Sequence, residues 1–322
     1  MPPADFGECS GHYALKSGAP SSGRIEAFGY ESPMIPLERA IRPRRSLLFV
    51  PGLRPDRFHK ALDSGADIVC VDMEDAVALP RKDEGRALTV PLFAAHSHPH
   101  VEKMARINSI STVHGLKDLQ ALAECEAPPP AIMIPKVKSA DEVQLIDTLL
   151  STGAARAIRF CVIIETNQGL ERAIEIAKAS PRIDSMILGA VDMSAELRCQ
   201  KAWEPLLYTR SRLVHAAASA GIDLLDVPYL NLDDPAGLKA EAEGVQRLGF
   251  TGKASIHPNQ ISIINAAFTP DEKTIEKARK VCAAFEQDKT GLVVVDNELI
   301  ELPVVRSYYR VLAIAERLQK GA

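Results

Sequence analysis

The sequence predicts a (β/α)8 TIM barrel followed by a C-terminal helical lid segment, on three observations. Eight strand-like apolar runs recur about every 30 residues, the length of a strand, loop, helix and return loop. They are Ser46 to Pro51, Asp67 to Glu74, Lys103 to Asn108, Ala131 to Val137, Arg159 to Thr166, Ser185 to Asp192, Asp223 to Tyr229 and Gly252 to Pro258. Segments with helical spacing lie between them, such as Arg57 to Leu62 closed by Gly65 and Ala140 to Leu150 closed by Gly153. Polar residues collect where the runs end, as a barrel requires of the face that carries chemistry. An open doubly wound sheet is the structural alternative, but no Gly-x-Gly-x-x-Gly turn follows the first strand.

The first 43 residues are rich in Gly, Ser and Pro, as in Ser17-Gly18-Ala19-Pro20-Ser21-Ser22-Gly23, and lack a sustained period. They predict an extension, partly disordered or draped over the body. Residues 44–268 form the predicted barrel, and 269–322 the lid segment: a helix from Pro270 to about Gln287, a strand-like Leu292 to Val295, and a final helix from Pro303. With 322 residues, 46% hydrophobic content and a net charge of -4, the chain can bury a large core. That balance predicts neither nucleic-acid nor membrane partners. The six cysteines are scattered without Cys-x-x-Cys spacing, which suits reduced thiols and a cytoplasmic location. The opening residues show no signal-like apolar stretch.

The run Phe160 to Ile164 ends abruptly in Glu165, and the next run ends in Gly189-Ala190-Val191-Asp192. Either acid alone reads as a strand-end cap on the following helix. Two on consecutive parallel strands suit one hard divalent cation, and oxygen ligands without nearby His or Cys favour Mg2+ or Mn2+ over zinc. Asp72, Glu74 and Asp75 fit the acidic start of a helix or, beside a metal, acceptors for its water ligands. Arg106 suits both an ion pair with these acids and a bidentate grip on a substrate carboxylate. Further strand-end groups are Asp226, on strand seven, and Lys253, on strand eight. Lys136 and Lys253 invite a Schiff-base reading, which the acid-rich surroundings argue against because they keep a lysine charged. His257 beside Pro258 reads as a packed turn histidine and stays outside the site.

Several stretches together resemble the family of citrate lyase beta subunits, malyl-CoA lyases and citramalyl-CoA lyases. They are Arg45 to Gly52, Asp72-Met73-Glu74-Asp75-Ala76-Val77, Ala105 to Asn108, Ile134-Pro135-Lys136-Val137, Ile164-Glu165-Thr166, Gly189 to Asp192, and Leu248 to Gln260. The resemblance implies a Mg2+-dependent carbon–carbon lyase that splits a citramalyl-CoA or malyl-CoA type 3-hydroxyacyl thioester into acetyl-CoA and pyruvate or glyoxylate. It implies Glu165 and Asp192 as metal ligands, Arg106 on the oxo-acid carboxylate, Glu74 and Asp75 around the metal's waters, and Phe49, Arg54 and Lys60 against coenzyme A. The proton donor to the cleaved carbon resembles an Asp in a Met-Ile-Asp-x-Pro segment supplied by a neighbouring subunit. Here the segment reads Leu299-Ile300-Glu301-Leu302-Pro303, so Glu301 takes that place, and Asn297 replaces a usual Gly. The resemblance further implies a homo-oligomer, trimer or hexamer. A beta subunit acting on a citryl thioester held by an acyl carrier protein, and a non-catalytic ligand-binding homologue, are the alternatives.

Overall fold

The computed structural model describes residues 42–94, 98–287 and 292–320. Eight parallel strands close into a barrel in sequence order. They are β1 (Ser46–Pro51), β2 (Ile68–Asp72), β3 (Glu102–Arg106), β4 (Ala131–Ile134), β5 (Arg159–Ile164), β6 (Ile183–Leu188), β7 (Asp223–Asp226) and β8 (Gly252–Ser255). Closure is made by β1 lying between β2 and β8, with Leu47 opposite Ile68 on one side and Ala254 on the other. All eight expected strands are present, and most end earlier than the apolar runs do. The sixth run was expected to stay extended through Asp192, yet β6 stops at Leu188 and Asp192 lies in the first turn of the helix Ala190–Leu197. Most of the predicted extension, residues 1–41, lies outside the described residues.

Period-two alternation sorts the strand side chains between two cores. Leu47, Ile68, Cys70, Met104, Met133, Cys161 and Leu225 are among those filling the barrel interior. Leu48, Val69, Val71, Ile132, Val162 and Leu224 face outward and pack under the helices. Several helices begin on side-chain caps: Thr112, Ser139, Thr166 and Asp234 each accept a backbone N–H from the first turn. Gly65 and Gly153, the two expected helix stops, have φ of 80° and 58°, where a Cβ would be strained.

The N-terminal end of the barrel is closed by ion pairs rather than apolar packing. Arg44 pairs with Glu102 at 2.8 Å, Asp184 at 2.6 Å and Asp223 at 3.0 Å, and Arg159 pairs with Glu102 and Asp184. Each carboxylate sits near the start of a strand and meets at least one guanidinium, which offsets the cost of desolvating it. A second buried network corrects an expectation. Lys253 and Asp226 were grouped with the chemistry at strand ends, but both point outward to the helix layer. Lys253 Nζ donates to Asp226, the Val227 carbonyl and Glu241, each at 2.6 Å, and Arg210 Nε donates to Asp226 at 3.1 Å. These side chains join β7 and β8 to the helices Leu207–Ala220 and Pro235–Leu248.

The C-terminal segment contains the helix Glu272–Gln287, β9 (Leu292–Val295), β10 (Glu298–Glu301) and the helix Leu302–Lys320. The β10 strand was not expected. It pairs antiparallel with β9 across Asp296 and Asn297, whose φ values of 50° and 67° define a hairpin turn with both central residues left-handed. Val281, Val293, Val295, Ile300 and Val305 make the segment's own small core. Arg310 pairs with Asp223 at the N-terminal end of the barrel. Within its own chain the final helix is therefore tied to the end opposite the strand C-termini.

Among the described residues no helix is long and apolar enough to cross a membrane. Cys70, Cys125, Cys161, Cys199 and Cys282 are unpaired, and Cys9 lies outside the described residues.

Candidate active site

The C-terminal ends of the strands surround a cavity of about 960 Å³. Its floor and wall bring together Phe49 from β1, Asp72 and Asp75 around the end of β2, Arg106 from β3, Glu165 after β5, and Asp192. Arg54, Arg57 and Lys60, on and before the helix Pro55–Leu62, form a basic rim. Seven of the nine site residues singled out in the sequence converge here on the chain's own mouth: Phe49, Arg54, Lys60, Asp75, Arg106, Glu165 and Asp192. Glu74 lies just behind the wall, 5% exposed, and touches Arg106. Glu301 is not part of the lining; it ends β10 and is exposed.

Glu165 follows β5 directly and precedes Thr166, the cap of the next helix, so its carboxylate is fixed at the strand end. It is 3% exposed. Its Oε1 accepts the Lys136 backbone N–H at 2.8 Å, and this is its one hydrogen bond among the described residues. Burial first, then the charges of Glu74 and Asp192, push its pKa up to about 8. Gly189 makes room for it: a Cβ there would stand 2.3 Å from Glu165 Oε2 and 2.5 Å from Glu165 Cβ. Asp192 has no hydrogen bond or ion pair among the described residues, and half-buried at the mouth it faces the same space.

Arg106 is already engaged on one side. Its Nε and Nη2 donate to Asp72 at 2.7 and 2.5 Å in a bidentate pair, while Nη1 lies 3.1 Å from Glu74 Oε2 and 3.7 Å from Asp75. Burial alone would lower its pKa, but the bond and charge of Asp72 outweigh that and hold it well above the ordinary value. The guanidinium lies 5.3 Å from the centre of the Phe49 ring. Asp72 also accepts the Glu74 N–H at 2.8 Å and the Ala76 N–H at 3.1 Å, so one carboxylate sets both the acidic loop and the arginine. Lys82 supports that loop from below, donating to the Met73 and Glu74 carbonyls at 3.1 and 2.6 Å.

Lys136, discounted in the sequence as a nucleophile, is instead an organiser. Its Nζ donates to Glu74 Oε1 at 2.6 Å, and this pair raises its pKa against the effect of burial. The Pro135-Lys136 pair at a strand end signalled a charged group, but only the fold shows which acids it meets. Burial raises the Glu74 pKa, and its Oε2 is buried without a well-aligned hydrogen bond.

The donor set fits a small hard cation. Glu165 and Asp192 present carboxylate oxygens with spare acceptor capacity, and burial together with the charges of Glu74 and Asp192 raises Glu165. A divalent ion would relieve both. Among the described residues no three His, Cys, Asp or Glu side chains form a complete cage. Two protein carboxylates with the remaining positions left to water or substrate are characteristic of Mg2+ rather than of a structural zinc site.

Comparison with known proteins identifies the family. Residues 45–258 match the HpcH/HpaI aldolase/citrate lyase family. The chain is 33% identical over 285 residues to the citrate lyase subunit beta of Leuconostoc mesenteroides subsp. cremoris, covering 85% of this chain and 94% of that one. It is 32% identical over 305 residues to an L-malyl-CoA/beta-methylmalyl-CoA lyase of Cereibacter sphaeroides, covering 86% and 96%. Among solved structures, CitE of Mycobacterium tuberculosis in complex with magnesium, acetoacetate and coenzyme A superposes with a TM-score of 0.68 at 30% identity, covering 87% of this chain and 99% of that one. The barrel, the order of its strands and these matches together place the chain in the HpcH/HpaI aldolase/citrate lyase family, as a carbon–carbon lyase.

Proposed function

We propose that this chain is a Mg2+-dependent lyase that cleaves, reversibly, a citramalyl-CoA or malyl-CoA type thioester into acetyl-CoA and pyruvate or glyoxylate. The observation that carries this reading is the meeting of Glu165, Asp192 and Arg106 in one cavity at the strand C-termini. The Mycobacterium tuberculosis relative, whose structure holds magnesium, acetoacetate and coenzyme A, supports the same ligand classes here. When bound, the metal would supply Lewis-acid polarisation of substrate oxygens, worth several kcal/mol.

The chain's own residues supply the rest. Glu165 and Asp192 would hold the ion, Glu165 as the ionised carboxylate. Arg106, with one edge committed to Asp72, offers its remaining N–H groups to the oxo-acid carboxylate. Glu74 and Asp75 accept from the water ligands. Ile163, Ile187 and Val227 make the cavity's apolar wall and keep water from the reacting carbon. Phe49, Arg54 and Lys60 meet the adenine and phosphates of coenzyme A, and Arg57 on the same rim adds a fourth contact.

Cleavage leaves a carbon that must be protonated. Glu301 lies on the exposed face of the β9–β10 hairpin beside Leu292, Val294 and Leu299, outside its own chain's cavity. In this proposal it serves the mouth of a neighbouring subunit in a homo-oligomer, in the cytoplasm. A carrier-bound citryl thioester is the second reading, favoured by the match to a citrate lyase subunit beta over 94% of its length.

A coupled assay of the purified protein with Mg2+ against citramalyl-CoA, malyl-CoA and citryl-CoA tests the proposal, alongside Glu165→Ala. Metal-dependent turnover of one of the first two, lost in the variant, is expected. Turnover only when the thioester sits on an acyl carrier protein would move the assignment to the second reading. Metal binding without any turnover would make the chain a ligand-binding homologue.

A further inference from the structure

Lys136 stands just past the end of β4 with φ of 56°, in the left-handed region that side chains other than Asn and Asp rarely enter. Such strain persists where the surroundings hold it in place, and here both ends of the residue are held. Its backbone N–H donates to Glu165 Oε1 at 2.8 Å, and its ammonium donates to Glu74 Oε1 at 2.6 Å while lying 3.6 Å from Asp75. One residue thus spans two carboxylates, one following β5 and one following β2, that like charge would otherwise drive apart. The other end of Glu74 faces Arg106 Nη1 at 3.1 Å. Glu74 is therefore shared between two cations, and each limits the pull of the other.

We propose that Lys136 is a positioning residue that fixes the gap between Glu165 and Glu74 and, by sharing Glu74 with Arg106, limits how far Arg106 is drawn onto that acid, so that its N–H groups not bonded to Asp72 stay turned toward the substrate carboxylate. The proposal rests on the metal and oxo-acid reading above. Without the ammonium, Arg106 is the nearest cation left to Glu74, and its Nη1 turns inward. Oxo-acid binding and turnover then suffer together, whereas the two metal carboxylates stay where the end of β5 and the first turn of the helix Ala190–Leu197 put them. The left-handed backbone is a separable requirement: glycine meets it without strain, and alanine does not.

The test uses the full-length protein with Lys136→Met, Lys136→Arg, Lys136→Gly and Lys136→Ala. Mn2+ alone is titrated by electron paramagnetic resonance. KM and kcat are measured in the condensation direction with acetyl-CoA and pyruvate or glyoxylate, and melting is followed in the metal-free protein. Lys136→Met is expected to raise the oxo-acid KM and lower kcat each by at least about tenfold, with the Mn2+ Kd within about threefold of wild type. Lys136→Arg recovers most of both, and Lys136→Gly melts above Lys136→Ala. Wild-type kinetics in Lys136→Met, or Lys136→Ala melting at or above Lys136→Gly, overturns the proposal and leaves the metal reading standing. Absence of Mn2+ binding by wild type overturns the metal reading, and the proposal with it.

Discussion

Substituting Gly189 by alanine tests the placement of Glu165 without touching any ionisable group. Gly189 has φ of -94° and ψ of 79°, so an alanine there meets no left-handed strain and the perturbation is steric. The added methyl would lie 2.3 Å from Glu165 Oε2, 2.5 Å from Glu165 Cβ and 3.0 Å from Ile163 Cγ2. A carbon needs about 3.5 Å from such neighbours, so the overlap is roughly 1 Å. Rotating the carboxylate clears Oε2 but leaves the Cβ clash, which only backbone movement relieves. Gly189 N–H donates to the Ile164 carbonyl at 3.1 Å, so the strand ends cannot part without losing that bond. Overpacking of this kind costs about 1–3 kcal/mol of stability. A carboxylate shifted by about 1 Å costs on the order of 100-fold in turnover. Gly189→Ala is therefore expected to fold, to melt a few degrees lower, to bind Mn2+ at least about tenfold more weakly by titration, and to lose most of its coupled-assay activity. A folded variant with wild-type Mn2+ affinity and turnover would mean that Glu165 is not the side chain on which the ion depends.

Arg106→Lys keeps the charge and forfeits the bidentate geometry; the oxo-acid KM is expected to rise about 10- to 100-fold in steady-state assays, with stability lowered by the loosened Asp72 pair. Glu301→Gln and Glu165→Ala should each be inactive alone, yet regain measurable activity when co-refolded or co-expressed, because mixed oligomers contain one mouth with an intact ion site facing an intact Glu301; no recovery in demonstrably mixed oligomers would refute donation between subunits. Lys253→Met leaves Asp226 buried with Arg210 as its remaining cation, and an urea titration should read a loss of about 3–5 kcal/mol. The acid limb of the stability curve tests the same network. Burial would raise the Asp226 pKa, but Lys253 and Arg210 hold it below the ordinary aspartate value. A carboxyl depressed in the folded state contributes stability above its unfolded pKa and loses it as pH falls through the folded one. Asp226→Asn should therefore flatten the melting-temperature decline of wild type below about pH 4, and an unchanged acid limb would remove the network from the account.

The barrel was legible because eight short apolar runs with polar ends leave few architectures open, and the glycines at 65 and 153 marked helix ends that the structure places in the left-handed region. The ends of the runs were legible only as clusters. Periodicity says that Asp192 and Asp226 follow strands; it does not say that one opens a helix at the mouth while the other, at an out-facing register, is consumed under the helices. Register decides this, and a shift of one residue turns a side chain from cavity to helix layer. The hairpin's second strand was missed although Asp296-Asn297 between the apolar Val293-Val294-Val295 and Glu298-Leu299-Ile300 is the composition of a two-residue turn with both φ values positive. Reading Asn297 only as a replaced glycine concealed that either residue type fills that conformation.

What the sequence could not give is the sharing of charge in the mouth. Three acids of the Asp72 to Asp75 stretch, Glu165 and Asp192 meet two cations, Arg106 and Lys136, whose side chains are spent on named partners. Asp72 takes two donors of Arg106, and Glu74 takes Lys136, which leaves Glu165 with a backbone N–H and Asp192 with no ion pair among the described residues. The uncompensated acceptor capacity is thus concentrated on Glu165, at the end of β5, and Asp192, in the helix after β6, and not on the acids nearest in sequence. Burial first, then the charges of Glu74 and Asp192, is why Glu165 holds its proton to about pH 8, and a divalent ion bound there would displace the proton and offset those charges. The distribution of bases, more than the count of acids, marks where a cation belongs.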